Sequence, residues 1–516
     1  MDEDIGELPD DVDSLKRLVV AALSALKTKS LEIEKLKVQL MRLRRMQFGR
    51  SSEKLAREIA QLELALEELE ASAAAQGEPP AAAANATPAL RPQTKPARRA
   101  LPSHLPREDV VHSSPSACPA CGGEVRALGE DSSEVLEYVP GHFKIIRHVR
   151  PKVSCRCCEA IHQAPSPDLP IDRGRPGPGL LAHVLVNKYA AHLPLYRQAE
   201  IFARAGVELS RSTMAGWVGQ AAWELRLLVE AIAAHVFAAD KIHGDDTTVP
   251  VLAPGTGKTK TGRLWVYVRD DRPWSSSAPP AAFYCYSPDR RGAHPAQHLA
   301  GFRGILQADG YAGFHGIYRQ NAVVEVACWA HARRKFFDVQ AATGSPLAAE
   351  ALERLGALYD IEAAIRGRPA ETRRAIRQDK AGPLLAGLKA WLEATLPRIS
   401  GKGELAGAIR YALGHWAALT RYRDDGRLEI DNNAAERAMR PLALGRKNYL
   451  FAGSDDGGRR AAALYTLIET AKMNGIDPEA YLRDVLARIP RHPVKRLGEL
   501  LPWAWVAQQN KAPAAA

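Results

Sequence analysis

Three acidic residues, far apart in the chain, occupy positions from which carboxylates could bind metal ions. Asp245 closes a predicted strand, Asp309 follows the apolar run "GILQA", and Glu436 lies on a predicted helix in "DNNAAERAMRP". Strand ends lie where a sheet meets its ligand, and a helix packed across that sheet would add Glu436. Three carboxylates at one point repel each other unless a hard divalent cation such as Mg²⁺ or Mn²⁺ neutralises them. The pattern predicts two such ions, arranged for in-line phosphoryl transfer.

Each of these acids also has an ordinary explanation. Asp245 and Asp309, taken singly, are typical of turn residues or caps. Asn433 could cap the helix, with Glu436 as the reciprocal acid of a capping box. The chain contains 59 Asp and Glu residues, so three of them chosen by position alone carry little weight.

Basic residues surround Glu436 and form a second cluster upstream. Guanidinium and ammonium groups bind DNA phosphates, although they also form ordinary solvated faces. The predicted phosphate ligands are Arg437, Arg440, Arg446, Lys447, Arg333, Arg334 and Lys335. A formal net charge of +11 and a pI near 9.3 also favour a polyanionic partner.

Two pairs of cysteines predict a structural zinc site. Cys118 and Cys121 lie in "CPACGG", and Cys155 and Cys158 lie in "CRCC", with predicted strands between the pairs. Each CxxC pair can grip one ion from a tight turn, and two pairs complete a tetrahedral Zn²⁺ site. Cys157 is an alternative ligand, the gap is longer than usual for a zinc ribbon, and four thiols without metal are the ordinary alternative.

The N-terminal region predicts self-association. Apolar residues spaced alternately by four and three run from Leu15 to Leu43, interrupted at Lys29, and a second run extends from Leu55 to Leu69. This spacing is that of a coiled coil, assigned here to residues 1–70, although an amphipathic helix packed on the protein body is the alternative. Residues 71–105, rich in Ala, Pro and Gln, predict a disordered linker.

The remaining elements would form the domains that position the candidate site. The residue pattern predicts short strands, then helices, then strands, and then helices again. The predicted order is a zinc-binding domain (106–170), a helical helix-turn-helix region (175–235), an α/β catalytic domain (240–448) with a helical insertion at about 345–421, a C-terminal helical segment (449–490) and a tail (491–516). Ser210 or Ser212 would cap the second helix of the helix-turn-helix pattern. Such a helix pair can bind DNA, but it is also a common packing unit.

Membrane insertion is not expected. The sequence has no apolar run of spanning length, and the start "MDEDIGELPDD" lacks the basic and apolar parts of a signal peptide. Seven cysteines in 516 residues do not suggest a disulfide scaffold. We expect a cytoplasmic protein.

The longer motifs resemble the IS66 family of bacterial insertion-sequence transposases over nearly the whole chain. The resemblance is carried by "GDDTTVPVLAPGTGKTKTGRLWVYVRDDRPW", "ADGYAGF", "CWAHARRKF" and "DNNAAERAMRPLALGRKNYLFAGSDDGG". It also extends to "RRMQFGRSSEKL" in the leucine-zipper region and to the cysteine motifs of the zinc-binding domain. The resemblance implies an RNase H-like catalytic domain with an Asp-Asp-Glu (DDE) triad.

On this resemblance, the triad is Asp245, Asp309 and Glu436. The family motif Asp-Glu-Thr reads Asp245-Asp246-Thr247 here, which leaves Asp246 as a rival for the first position. Successive strand residues face opposite ways, so only one of the two can face the metal, and we favour Asp245. Cys328 and His331 in "CWAH" resemble a Cys-x-x-His feature of several DDE families; simple burial beside the sheet is the alternative, and we do not predict them as zinc ligands.

The resemblance implies a DNA transposase that binds element ends, cleaves DNA and transfers strands in a metal-dependent reaction. Protomers would pair through the coiled coil, two small accessory proteins of the same element are implied, and the protein would act at the bacterial nucleoid. Two alternatives remain open: a non-catalytic DNA-binding protein derived from a transposase, and an RNase H-like nuclease that cuts without joining.

Overall fold

The computed structural model describes residues 101–509, except 102, 104, 140, 172–173, 254–257, 320–322, 447 and 450. The predicted coiled coil, nearly all of the predicted linker and the candidate phosphate ligand Lys447 therefore lie outside the described residues. Within the described part, every helix is too short or too polar to cross a lipid bilayer.

The first sheet has four strands and carries the cysteine motifs. Its strands are β1 (Arg107–Val111), β2 (Val125–Val139), β3 (His142–Cys155) and β4 (Ile161–Gln163). Strands β2 and β3 form a long antiparallel hairpin, while β1 pairs parallel and β4 antiparallel with β3. The predicted short strands "EVLEYV" and "FKIIRHV" are parts of this hairpin, which brings its far ends, near Val125 and Cys155, together.

Four helices follow: α1 (Pro178–Tyr189), α2 (Leu195–Arg204), α3 (Arg211–Glu224) and α4 (Arg226–Phe237). The chain turns between α2 and α3 at Gly206, whose φ of 75° is readily adopted only by glycine. Ser210 caps α3 by accepting a hydrogen bond from the backbone of Thr213, as predicted.

The second sheet has five strands in the order β7-β6-β5-β8-β9. They are β5 (Lys241–Ala253), β6 (Lys258–Arg269), β7 (Ala281–Ser287), β8 (Gly304–Gln307) and β9 (Val323–Val326). Strands β5, β6 and β7 are antiparallel, whereas β8 and β9 run parallel to β5. This is the mixed α/β body that the sequence predicts.

Helices make up most of the rest of the described chain. They are α5 (Ala293–His298), α6 (His315–Arg319), α7 (Trp329–Thr343), α8 (Pro346–Ile365), α9 (Ala370–Ile376), α10 (Gly382–Thr395), α11 (Glu404–Gly414), α12 (Trp416–Thr420), α13 (Asn433–Gly445), α14 (Asp455–Met473), α15 (Pro478–Arg488) and α16 (Pro502–Gln509). Helices α8–α12 occupy the region predicted as a helical insertion. Within the predicted tail, α16 packs Trp503 and Trp505 against the main core.

Helix α14 covers the outer edge of β7. The hydroxyl oxygens of Thr466 and Thr470 accept hydrogen bonds from the backbone N–H groups of Tyr284 and Ala282, at 3.0 and 3.1 Å. Edge N–H groups left without partners would be available to another strand. The two threonines therefore bind two outer N–H groups of this edge strand from within the same chain.

Two hydrophobic cores organise the described residues. The larger core joins the five-stranded sheet to α1–α4 and α13–α15. The smaller core joins α7 to α8, α10 and α11, and includes Leu428 and Ile430 just before α13. The helical insertion thus has its own core, which supports the segment that leads to Glu436.

Buried ion pairs connect the insertion to the same segment. Arg377 is fully buried and donates to the carboxylate of Glu362 at 2.6 Å and to the carbonyl of Leu428 at 2.9 Å. Arg373, also buried, pairs with Glu429 at 2.5 Å. Removing one partner of such a pair leaves the other charge buried without compensation.

We expect Arg377→Met to lower the free energy of unfolding by about 3–5 kcal/mol, because it leaves Glu362 buried without this partner. Urea denaturation followed by tryptophan fluorescence would measure the loss. The matched control is Arg374→Met, which removes a half-exposed guanidinium paired with Glu371 and should change stability by less than about 1 kcal/mol. Equal effects of the two substitutions would contradict a stabilising role for the buried network.

Candidate active site and metal-binding clusters

Asp245 lies inside β5 and not at its end, so that part of the prediction is wrong. Strand β5 continues to Ala253 because β6 pairs with it as far as that residue. Its parallel partner β8, however, pairs with β5 only over residues 241–243. Asp245 therefore lies two residues beyond the point where the β8 pairing stops.

Asp309 lies at the matching position beyond β8. Gln307, the last residue of β8, pairs with His243, so extending this register by two residues brings Asp309 beside Asp245. Neighbouring strands are about 4.8 Å apart. The Oδ1 atom of Asp309 accepts a hydrogen bond from the backbone of Tyr311 at 3.2 Å, which holds the carboxylate in the loop after the strand.

Glu436 lies in the first turn of α13, but the capping box proposed around it is wrong. The helix begins after Asn432, whose side chain makes no capping hydrogen bond, and the Asn433 amide donates to Asp431 at 2.6 Å. The carboxylate of Glu436 is 42% exposed, and its closest basic atom is Nδ1 of His331 at 3.8 Å. Glu436 is therefore free of a capping role.

Two buried amides connect the segments that carry the three acids. Asn432 bonds to the His243 ring at 3.0 Å and to the carbonyl of Gly244 at 2.8 Å, which ties the start of α13 to β5. Gln307 donates to the carbonyls of Glu429 and Asp431 at 2.6 and 3.0 Å, which ties β8 to the same segment. Both amides are fully buried, so these bonds fix the relative positions of the three segments.

The charges of the three acids influence one another. Burial, together with the neighbouring carboxylates of Asp309, Asp246 and Glu436, raises the pKa of Asp245 to about 7. Burial also raises the pKa of Asp309, while His331 and Arg290 oppose that increase. A buried group of carboxylates without a cation prefers partial protonation.

The three acids do not form a single tight cluster. In the described part of the chain, two groups of side chains bring all their candidate ligand atoms within 4.8 Å of one another. Neither group contains all three acids. A pair of ions about 4 Å apart has outer ligands that need not meet at one ion. The exposed side chain of Glu436 can also change rotamer. Among the described residues, the three side chains thus lie on neighbouring segments without meeting at one point.

Asp246 has a different environment from Asp245. Its carboxylate is nearly fully buried and accepts hydrogen bonds from Arg263 and Arg290, both at 2.8 Å. Arg290 also stacks over the ring of Tyr311, and its Nη2 atom is 3.9 Å from Asp309. Asp246 thus forms ion pairs with two guanidinium groups, whereas the charges that act on Asp245 are those of other carboxylates.

Sequence reasoning missed Arg290. The segment "DRRGAH" has no periodicity or motif that singles it out. The available signal was Asp246 itself, because an acid in the interior of a strand needs a cationic partner. Which arginine would supply that partner depends on the packing of the loop after β7 and could not be read from the sequence.

The predicted phosphate ligands differ in their surroundings. Arg437, Arg440, Arg333 and Arg334 are exposed. Lys335 is exposed as well, and its ammonium lies over the Tyr411 ring. Arg446 is half-buried and donates to the carbonyl and hydroxyl of Thr248, so it connects α13 to β5. Arg446 therefore has an internal partner, and Arg437, although exposed, has its Nη2 atom 3.9 Å from the buried carboxylate of Asp270.

Cys328 and His331 lie beside Glu436. The three residues present candidate ligand atoms within 4.8 Å of one another. Cys328 is buried at the start of α7, and its sulfur accepts a hydrogen bond from the backbone of Asn432 at 3.1 Å. The sequence left this pair as either a Cys-x-x-His feature or simple burial beside the sheet and did not predict zinc ligands, because the third donor comes from a residue more than one hundred positions later.

The four predicted zinc ligands form the second such cluster. The sulfurs of Cys118, Cys121, Cys155 and Cys158 lie within 4.8 Å of one another, with Cys121 3.5 Å from both Cys155 and Cys158. The hairpin of β2 and β3 joins the two turns that carry the pairs. Four sulfurs at such spacing suit a closed tetrahedral Zn²⁺ site.

These features define a multidomain protein with a zinc-finger-like domain, helical regions and mixed α/β structure. Comparison with known families agrees: residues 173–460 match the family described as Transposase IS66 family, and residues 466–503 match the IS66 C-terminal element. Residues 115–159 match the zinc-finger binding domain of transposase IS66, and residues 35–110 match a family described as Transposase C of IS166 homeodomain. The chain belongs to the IS66 transposase family, which confirms the resemblance seen in the sequence.

Three similar proteins come from Sinorhizobium fredii (strain NBRC 101917 / NGR234), and each is described as uncharacterized. The chain is 47% identical to protein y4hP over 490 residues, covering 91% of this chain and 88% of that protein. Identity to y4jD is 43% over 419 residues, covering 79% and 82%. Identity to y4qI is 39% over 532 residues, covering 97% and 98%. The family relationship thus extends over nearly the full length of the chain.

We expect Asp245→Asn to stabilise the metal-free protein at pH 8. The pKa of Asp245 is raised from 3.8 to about 7, so the folded state binds an extra proton between these values and stability falls as pH rises through this window. The substitution removes that loss and should raise Tm by on the order of 4 °C at pH 8, with a smaller gain at pH 5. Differential scanning calorimetry with chelator present would measure both.

The control for this prediction is Asp360→Asn, which changes an exposed acid on α8. It should leave the pH dependence of Tm as in the parent. A parent-like pH dependence in Asp245→Asn as well would show that Asp245 does not carry the unfavourable charge.

Proposed function

We propose that this protein is a DDE transposase that binds the ends of its element, cleaves DNA and transfers the 3′ ends to a target. The observation that carries the proposal is the placement of Asp245, Asp309 and Glu436 on three segments that buried amides join. Membership of the IS66 transposase family supports the same activity.

The sheet topology supports an RNase H-like catalytic domain. Three antiparallel strands followed by two parallel strands, in the order β7-β6-β5-β8-β9, agree with such a fold. The first acid then comes from the central strand, the second from the loop just after the neighbouring parallel strand, and the third from a helix packed against the sheet. Helices α8–α12 enter between the second and third acids, as expected for an insertion.

The donor set fits hard divalent cations. Asp245, Asp309 and Glu436 supply only oxygen ligands, which are the ligands that Mg²⁺ and Mn²⁺ prefer. These residues would hold Mg²⁺ or Mn²⁺. When bound, two such ions activate the attacking hydroxyl and stabilise the leaving oxygen of a phosphoryl transfer.

The protein's own side chains would position the DNA around these acids. Arg290 is fixed by Asp246 and Tyr311 next to Asp309, so its charge lies where the scissile phosphate would approach. Among the described residues, Nη1 of Arg290 has no hydrogen-bond partner and is available to a phosphate oxygen. Arg437, Arg440, Arg333 and Arg334 would bind the flanking backbone.

The other regions would recognise DNA and assemble the complex. Zinc in the Cys118–Cys158 cluster would fix the small domain, and helices α2 and α3 would read the element ends. The predicted coiled coil at residues 1–70 would pair protomers so that two ends are held together. The small accessory proteins and action at the nucleoid belong to the same proposal.

The three acids should be indispensable for strand transfer. Asp245→Asn, Asp309→Asn and Glu436→Gln should each lower the rate by at least about 10³-fold while leaving binding to element ends intact. The assay uses labelled element ends with Mg²⁺ and separates cleaved from joined products. Asp338→Asn, which changes an exposed acid on α7, is the matched control and should retain full activity.

Parent-like activity in the acid variants would remove this triad from the mechanism. Binding of ends without any reaction by the parent would favour the DNA-binding alternative. Cleavage without joining would favour a nuclease.

Arg290→Gln should weaken the interaction with the scissile phosphate. We expect a loss of rate of about 10–100-fold, as for removal of one charged hydrogen bond. A neutral methylphosphonate at the scissile position, which removes the same charge from the DNA, should weaken binding by the parent and have little effect on binding by Arg290→Gln. Arg291→Gln, at a highly exposed neighbour, should behave as the parent. An equal penalty from the methylphosphonate in all three proteins would exclude the contact.

A further inference from the structure

Cys328, His331 and Glu436 form a cluster with donors of three different kinds. A thiol, an imidazole and a carboxylate lie within 4.8 Å of one another, at the point where α7 and α13 begin. In a tetrahedral zinc site, ligand atoms are about 3.3–3.8 Å apart, given bonds of roughly 2.0–2.3 Å. The separation of 3.8 Å between Nδ1 of His331 and Oε1 of Glu436 already falls in this range.

The surroundings of the three donors suit a bound metal. Nδ1 of His331 is buried and lacks a hydrogen-bond partner among the described residues, so one of its ring nitrogens is unused. The sulfur of Cys328 already accepts a backbone N–H from Asn432, the kind of bond that stabilises a thiolate ligand. Glu436 is partly exposed, which leaves a path from solvent.

The chemistry of these donors differs from that of the acid cluster. Mg²⁺ prefers oxygen ligands and does not select sulfur, whereas Zn²⁺ favours sulfur and nitrogen. Glu436 belongs to both sets, because the proposed function also assigns it to the acid cluster with Asp245 and Asp309. Binding of zinc would hold the Glu436 carboxylate near His331, 3.8 Å away, and would compete with its binding of an ion at the acid cluster.

We propose that Cys328, His331 and Glu436 form a second zinc site, whose occupation withdraws Glu436 from the acid cluster and inhibits the reaction. The site has three protein ligands and a fourth position open to water, as in exchangeable zinc sites. Bound Zn²⁺ would also tie α7 to α13. The inhibitory part rests on the proposed strand-transfer function, whereas the zinc site itself does not.

Metal content tests the site without any catalytic assay. The full-length protein is dialysed against buffers of fixed free Zn²⁺, and zinc per chain is measured by mass spectrometry. We expect two zinc ions per parent chain and one in either Cys328→Ser or His331→Gln. Cys121→Ser should lose the ion of the four-cysteine cluster and keep the other.

The matched control is Cys285→Ser, which changes a half-buried thiol on β7 that belongs to neither cluster. It should retain two ions. One ion in the parent, or two ions in both Cys328→Ser and His331→Gln, would overturn the proposal. His331→Gln changes a partly exposed side chain, so it remains informative if Cys328→Ser folds poorly.

Strand transfer at constant Mg²⁺, titrated with free Zn²⁺, tests the inhibition. The zinc concentration for half-inhibition should rise at least tenfold in His331→Gln relative to Cys285→Ser. Equal inhibition of the two variants would overturn the regulatory part. Absence of strand transfer by the parent would instead refute the proposed function, while the zinc count would still decide whether the site exists.

Discussion

Two buried amides, Asn432 and Gln307, are the interaction on which the candidate site depends. Each belongs to a segment that carries one acid and bonds to a segment that carries another. The acids themselves repel one another and could not hold the segments together. Unpaired polar groups are strongly unfavourable in the interior, so these amides keep their hydrogen bonds. The bonds hold the three segments together against the repulsion between the carboxylates.

Support for these amides comes from outside the sheet. Residues 428–431, which receive the bonds of Gln307, are also held by Arg373 and Arg377 of the helical insertion. The insertion is therefore more than a long loop between the second and third acids. Its own core and its buried ion pairs keep the chain in place immediately before Glu436, so changes in the insertion can reach the site without touching it.

The sequence analysis was most successful where local spacing determines structure. Two CxxC pairs separated by strand patterns indicated the cluster of four cysteines, and of the two predicted helix caps, Ser210 and Ser212, the first is the cap. It was less successful where long-range pairing decides the outcome. Asp245 was expected at the end of a strand, but β6 pairs with β5 well beyond that residue, and no local pattern shows how far a partner strand extends.

The features that the sequence could not reveal involve contacts between distant residues. Arg290 reaches Asp246 across 44 positions. Glu436 meets Cys328 and His331 only because α13 packs beside the start of α7. Such contacts follow from topology and helix packing, and a single sequence shows neither.

The hydrogen bonding at the two edges of the five-stranded sheet has a consequence for assembly. Thr466 and Thr470 accept hydrogen bonds from two outer N–H groups of β7, those of Tyr284 and Ala282. At the other edge, β9 is only four residues long, the Glu325 carbonyl accepts from Arg421, and Ala327 donates to Ala418. In the described part of the chain, both edges thus use some of their backbone groups for hydrogen bonds within the same molecule, which lowers the tendency of neighbouring molecules to extend the sheet.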